Sequence, residues 1–145
     1  MIREIRGFHW ESKSAIRPLL LGAISHSPPV LDGTHRVCHA VWTLDYTFHD
    51  AGLYRVGNLR NPWRPRPAHV GHLYAPNTPY WEDTRSSRRH GLSAAYVMFV
   101  GGEEVGLGDL VPKNPGHAQL VDPHECLGRL LRRSAAIGHG RGASG

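Results

Sequence analysis

GHLYAPNTPYWED, residues 71–83, is the stretch on which the reading of this chain turns. "GHLYA" has the make-up of a short strand. "PNTP" is a turn, because each proline fixes φ at about −65° and an Asn-Thr pair tolerates turn geometry. "YWED" then leaves as a second strand. Side chains alternate along a strand, so Tyr80 and Glu82 share one face and Trp81 takes the other.

Working upstream, "NPWRPRPAH" (61–69) carries three prolines. It is a loop or an irregular edge, since a central strand needs the N–H groups that proline lacks. "VWTLDYTFHDAGLYRVGNL" (41–59) reads as a hairpin turning at "HDAG". In it Trp42, Leu44, Tyr46 and Phe48 alternate with Thr43, Asp45 and Thr47, a period of two. Trp42 and Tyr46 therefore lie on one apolar face. "HSPPVLDGTH" (26–35) is a loop with Pro-Pro and Asp-Gly signals, and "RPLLLGAIS" (17–25) a first strand. Residues 1–17 read as an irregular arm.

Downstream, "TRSSRRHG" (84–91) is a polar loop and "LSAAYVMFV" (92–100) the most convincing buried strand. A glycine-rich connection leads to "AQLVD" (118–122), a further short strand. "DPHECLGRLLRR" (122–133) has Asp122 as N-cap, Pro123 at the first helical position and Glu125 at the third, a capping box. Leu127, Leu130 and Leu131 fall on one helix stripe, with Arg129, Arg132 and Arg133 beside or opposite it. The helix is expected over 122–138, with 139–145 a flexible tail.

At 145 residues the chain fits one domain with one core, and 40% apolar residues suit a globular fold. The longest apolar run, "AAYVMFV", falls far short of the roughly 20 residues of a spanning helix, so no membrane partner is expected. The N-terminus lacks a secretory h-region. Cys38 and Cys126 are the only two cysteines and stand in no metal-like spacing. They read as reduced thiols of a cytoplasmic protein, Cys38 buried. The net charge of +5 comes almost wholly from scattered arginines, which read as solvated faces. No helix-turn-helix, RNP sequence or zinc finger gives this chain direct nucleic-acid recognition. No G-x-S-x-G occurs, and "GHGRGASG" has no strand before it to make a phosphate loop. Glu103 and Glu104 read as solvated.

The order of these pieces, with Arg36 ahead of "WTLDYTF", then "GHLYAPNTPYWED", "YVMF" and the leucine helix, resembles the N-terminal sensor domain of AraC-type bacterial transcription regulators. The resemblance spans residues 19–138. It implies a mostly β fold: a cupin-like (jelly-roll type) β-barrel over 18–121 with a C-terminal α-helix. It also implies a small-molecule effector, such as a sugar or another polar metabolite. DNA binding would belong to helix-turn-helix units that full-length members carry after the sensor, and this chain stops where the linker to them would begin. The alternatives are a small cupin enzyme, isomerase or dioxygenase-like, and an interaction module without a ligand.

Metal-binding cupins use a His-x-His pair, a glutamate and a later histidine. This chain has eleven histidines but no His-x-His, and Tyr80 holds the place of the late histidine. His35 and His39 would share a strand face about 13 Å apart, too far for one metal. No metal, no cofactor and no catalytic residue is therefore expected. If Tyr80 points inward, Glu82 does too, and a glutamate aimed inside needs a ligand donor or an arginine. The resemblance gives Arg36 and Tyr96 to effector contact. Trp42 and Tyr46 complete the candidate ligand set, with core packing the competing use. The stripe Leu127, Leu130, Leu131 suits a homodimer as in the resembled family, or packing within the chain.

Overall fold

The computed structural model describes residues 2–4, 16–26, 34–50, 52–85, 91–103 and 106–142. The strands are β1 (Ile2–Glu4), β2 (Ile16–His26), β3 (Thr34–Val37), β4 (Trp42–Thr47), β5 (Leu53–Val56), β6 (Arg64–Pro65), β7 (Val70–Tyr74), β8 (Tyr80–Asp83), β9 (Gly91–Gly101) and β10 (His117–Val121). One helix, α1 (Cys126–Gly142), follows them. Six strands form a sheet in the order β1-β10-β7-β4-β9-β2, and four form a second sheet in the order β3-β8-β5-β6. The fold is thus mostly β with a C-terminal helix, as expected. Among the described residues no ladder joins the two sheets, so they face one another without closing into a barrel. The pairs are nested: β2 with β9, β3 with β8, β4 with β7 and β5 with β6, all antiparallel.

The 71–83 stretch links the sheets. Thr78 N–H donates to the Ala75 carbonyl at 3.2 Å, with Pro76 and Asn77 between them. Asn77 has φ 62°, so proline then a left-handed residue gives the pattern of a type II turn. The expected hairpin at 41–59 does not form. β4 lies between β7 and β9, while β5 belongs to the other sheet. β4 is buried along almost its whole length and needs a neighbour on each side, which a hairpin alone does not provide. The segment after it changes sheets instead. Gly52, at φ 85°, passes so close to β8 that a Cβ there would lie 2.2 Å from the Asp83 carbonyl oxygen.

Three further boundaries differ, one of them the end of the helix, which continues past the expected 138 to Gly142 and takes in the first part of the expected tail. Ile2–Glu4, read as part of an irregular arm, pairs in parallel with β10. The helix begins at Cys126 rather than 122, because Glu125 sits at φ 52°, outside helical geometry. Asp122 still caps it: one carboxylate oxygen accepts Cys126 N–H at 2.8 Å and the other accepts Gly128 N–H at 2.9 Å. Cys38, expected in the core, is exposed, and neither cysteine is in a disulfide.

Two apolar clusters lie on the outer face of the six-stranded sheet, and a third, of Tyr54, Val56, Tyr74 and Tyr80, lies between the sheets. Trp42, Leu73, Phe99 and Ala118 pack under Leu107 and Val111, which belong to the 3-10 turn Leu107–Leu110 and the residue after it. Tyr46, Phe48 and Ala95 pack under Leu127 and Leu131 of α1. Gly128 lets the helix settle, since a Cβ there would stand 2.6 Å from the Tyr46 hydroxyl. No described helix is long and apolar enough to cross a membrane.

Candidate functional site

The inner face of the same sheet is built from the other half of each alternation. Ladder register sets two rows across it. One row runs His117, Tyr74, Thr43, Met98 and the next runs Gln119, His72, Asp45, Tyr96. The four-stranded sheet opposes them with Val37, Tyr80 and Val56 in one row and Tyr54 and Glu82 in another. Tyr80 stacks on Tyr74 across the gap, with ring centroids 3.8 Å apart and planes 8° from parallel. Burial pushes both phenols well above their ordinary pKa, so both are neutral.

Arg66 joins the sheets. It follows β6, is 2% exposed, and its backbone N–H donates to the Gly52 carbonyl at 2.9 Å. Nη2 donates to Asp45 Oδ2 at 2.5 Å, and Nη1 donates to Glu82 Oε1. Burial works against the guanidinium charge, but the two carboxylates outweigh it and raise its pKa. A lone buried charge would cost several kcal/mol; this triad is tolerable because the partners are in contact.

Beside the triad lies a cavity of about 380 Å³ lined by Val37, His39, Thr43, Asp45, Tyr80, Glu82, Tyr96 and Met98. That volume falls within the usual range for small-molecule sites. Two polar atoms of its lining, Asp45 Oδ1 and Thr43 Oγ1, are buried without a hydrogen-bond partner. His72 Nε2, Tyr74 Oη and Arg66 Nε are in the same position within the interior layer. Native interiors rarely leave such groups unpaired, and each unmade bond costs about 1–3 kcal/mol. A larger hollow of about 490 Å³, under residues 75–79 and 108–116, has no unpartnered buried polar atom in its lining.

Deeper in the layer, His72 Nδ1 and His117 Nε2 stand 3.0 Å apart. Burial pushes both imidazoles down, His72 well below its ordinary value and His117 to about 3, with the Arg66 charge adding to both. Both are neutral at pH 7, so one ring donates and the other accepts. Among the described residues no group of three or more His, Cys, Asp or Glu side chains is placed to hold a metal ion.

The structure brings together three of the six expected ligand residues, Tyr80, Glu82 and Tyr96, in one cavity. It does not bring the other three there. Arg36 is exposed on the outer face of the four-stranded sheet, 5.9 Å from the Trp81 ring. Trp42 and Tyr46 lie on the far side of β4, in the apolar core. Tyr46 Oη donates to Asp122 Oδ2 at 3.0 Å, so its polar end is committed to the helix cap. The reason is one of faces: the apolar half of β4 is covered by the helix and the 107–111 segment, leaving the polar half for the interior. Of the leucine stripe, Leu131 is buried and Leu127 half-buried on the chain's own sheet, while Leu130 is 51% exposed.

Thr43, Asp45, Arg66 and the histidine pair escaped the sequence reading. Asp45 did leave a signal, an acid centred in a strand whose other face is wholly apolar. Arg66 left none, since "RPRP" reads as exposed loop. The arginine that meets Glu82 is Arg66; Arg36, which the resemblance gives to the effector, lies on the other face of that sheet. No protein-family model and no curated protein matches the chain.

Proposed function

We propose that this chain is a small-molecule effector-binding sensor domain of the AraC type, which controls DNA binding by a helix-turn-helix region outside it. The observation that carries the reading is the cavity between the sheets, with buried polar atoms of Asp45 and Thr43 that lack partners. A guest supplying those bonds is held by a rigid frame, because Arg66 ties Asp45 on one sheet to Glu82 on the other. The nested order of strand pairs supports a jelly roll of the cupin kind, in which paired strands wind together into two facing sheets. We read the site as binding rather than catalytic. Its two carboxylates are held by Arg66, and burial makes the Tyr80 phenol too weakly acidic to exchange protons near neutral pH.

The same reading sets a cytoplasmic homodimer, with a second copy meeting α1 along Leu130 and Ile137. These are spaced one heptad apart on one face and are 51% and 62% exposed. A thermal-shift screen of sugars, aromatic acids and amines tests the binding function. A true ligand at a hundred times its Kd stabilises by about 2.7 kcal/mol, which is readily seen as a rise in Tm. Absence of any shift across all three classes would remove the sensor reading.

A further inference from the structure

We propose that the cavity selects a small organic ammonium ion over a neutral polyol or an anion, with Asp45 and Thr43 as its polar contacts. The inference rests on the pocket reading above and narrows it to one chemical class. Asp45 meets Arg66 through Oδ2 at 2.5 Å, and its other oxygen, Oδ1, is buried and unpartnered beside the cavity. A carboxylate oxygen only accepts, so the guest has to donate there. Thr43 Oγ1, on the next inward position of the same strand, is 98% buried by residue and also unpartnered. An ammonium group carries several N–H donors and can serve both oxygens at once.

The walls argue for the same class. Tyr80 and Tyr96 present rings, and Val37 and Met98 present apolar groups. Phenol rings attract a cation through their faces, most strongly where water is excluded. Tyr80 keeps its proton, since burial holds its pKa far above neutrality, so it cannot act as a fixed anion in place of Asp45. An anionic guest meets the Asp45 carboxylate, while Arg66 Nη1 and Nη2 are already turned to Glu82 and Asp45 and the remaining Nε of Arg66, buried without a partner, is not part of the cavity lining. A polyol supplies donors but no charge for Asp45 and little for the aromatic and apolar walls.

The test compares benzylamine with benzyl alcohol, nearly isosteric molecules that differ in charge at pH 7.5. Glucose serves as the polyol and benzoate as the anion, with binding read by calorimetry on the full 145-residue chain. A hydrogen bond to a charged group predicts that the amine binds roughly ten- to hundred-fold tighter than the alcohol. Asp45→Asn should erase that preference. Thr43→Val, which keeps side-chain shape and leaves the Arg66 network untouched, should weaken benzylamine by roughly three- to ten-fold. Circular dichroism reports whether each variant folds; should Asp45→Asn fail to fold, Thr43→Val carries the test. Equal affinity for amine and alcohol, or an amine preference that both variants keep, overturns the proposal. Tighter binding of glucose or benzoate overturns the ammonium class and leaves the pocket reading standing. If none of the four probes binds and a wider screen of the same classes is also silent, both readings fall.

Discussion

The two faces of the six-stranded sheet are made from the same strands and obey opposite rules. Outward, Trp42, Leu73, Phe99 and Ala118 are covered by the 107–111 segment, and Tyr46, Phe48 and Ala95 by the helix. Inward, Thr43, Asp45, His72, Tyr74 and His117 are as deeply buried but polar, and several of their atoms lack partners. Burial is therefore not what separates core from site in this protein. The outer face is held by area removed from water, which is tolerant of small changes in shape. The inner face is held by matched charges and hydrogen bonds, which fail abruptly when one member is lost.

That contrast can be broken most sharply at Arg66. Arg66→Met leaves the buried Asp45 carboxylate without its counter-ion, and a loss of about 3–5 kcal/mol in urea unfolding is expected. A near-neutral result would mean that the carboxylates do not need the guanidinium. On the outer face, Leu131→Ala removes a side chain that is 6% exposed and should cost about 2–4 kcal/mol, without changing ligand affinity. A variant that kept its stability but lost binding would reverse the roles assigned to the two faces.

The histidine pair predicts a pH dependence of definite sign. Both imidazoles titrate in the folded chain below their ordinary value near 6.5, His117 at about 3. In that interval the unfolded chain binds more protons than the folded one. Stability is thus full above about pH 6.5 and falls as the pH drops below it, by at most about 1.4 kcal/mol per pH unit for each histidine. Urea midpoints at pH 7.5 and 5.5 check this, and His72→Gln together with His117→Gln should flatten the difference. The smallest effect is expected at Arg36. It is exposed and stacks on Trp81, so Arg36→Ala should change stability by less than about 0.5 kcal/mol and leave probe affinity unaltered. A large loss of binding there would restore the residue to the site.

Local features could be read directly. The Pro76-Asn77 turn, the apolar strand β9 and the cap at Asp122 are each specified within a few residues of chain, and all three are present, although only Ala94, Ala95 and Phe99 of β9 are fully buried among its described side chains. Even so, the cap acts four residues upstream of the helix, because the left-handed Glu125 intervenes. Two of the six expected ligand residues reached the cavity for a local reason too: alternation after the turn places Tyr80 and Glu82 together. The hairpin at 41–59 was misread because turn residues look alike whether the chain folds back within a sheet or crosses to another.

By itself, the sequence determined which residues share a face: Thr43 with Asp45, Trp42 with Tyr46, Tyr80 with Glu82. Alternation along a strand is a property of backbone geometry and needs no partner. Only the tertiary structure decided which of those faces turned inward. That depends on what covers the other side, and here α1 and the 107–111 segment claim the apolar half of β4 from far along the chain. The same long-range docking set Arg66 between two carboxylates that lie 21 and 16 residues from it, a meeting that no local pattern encodes.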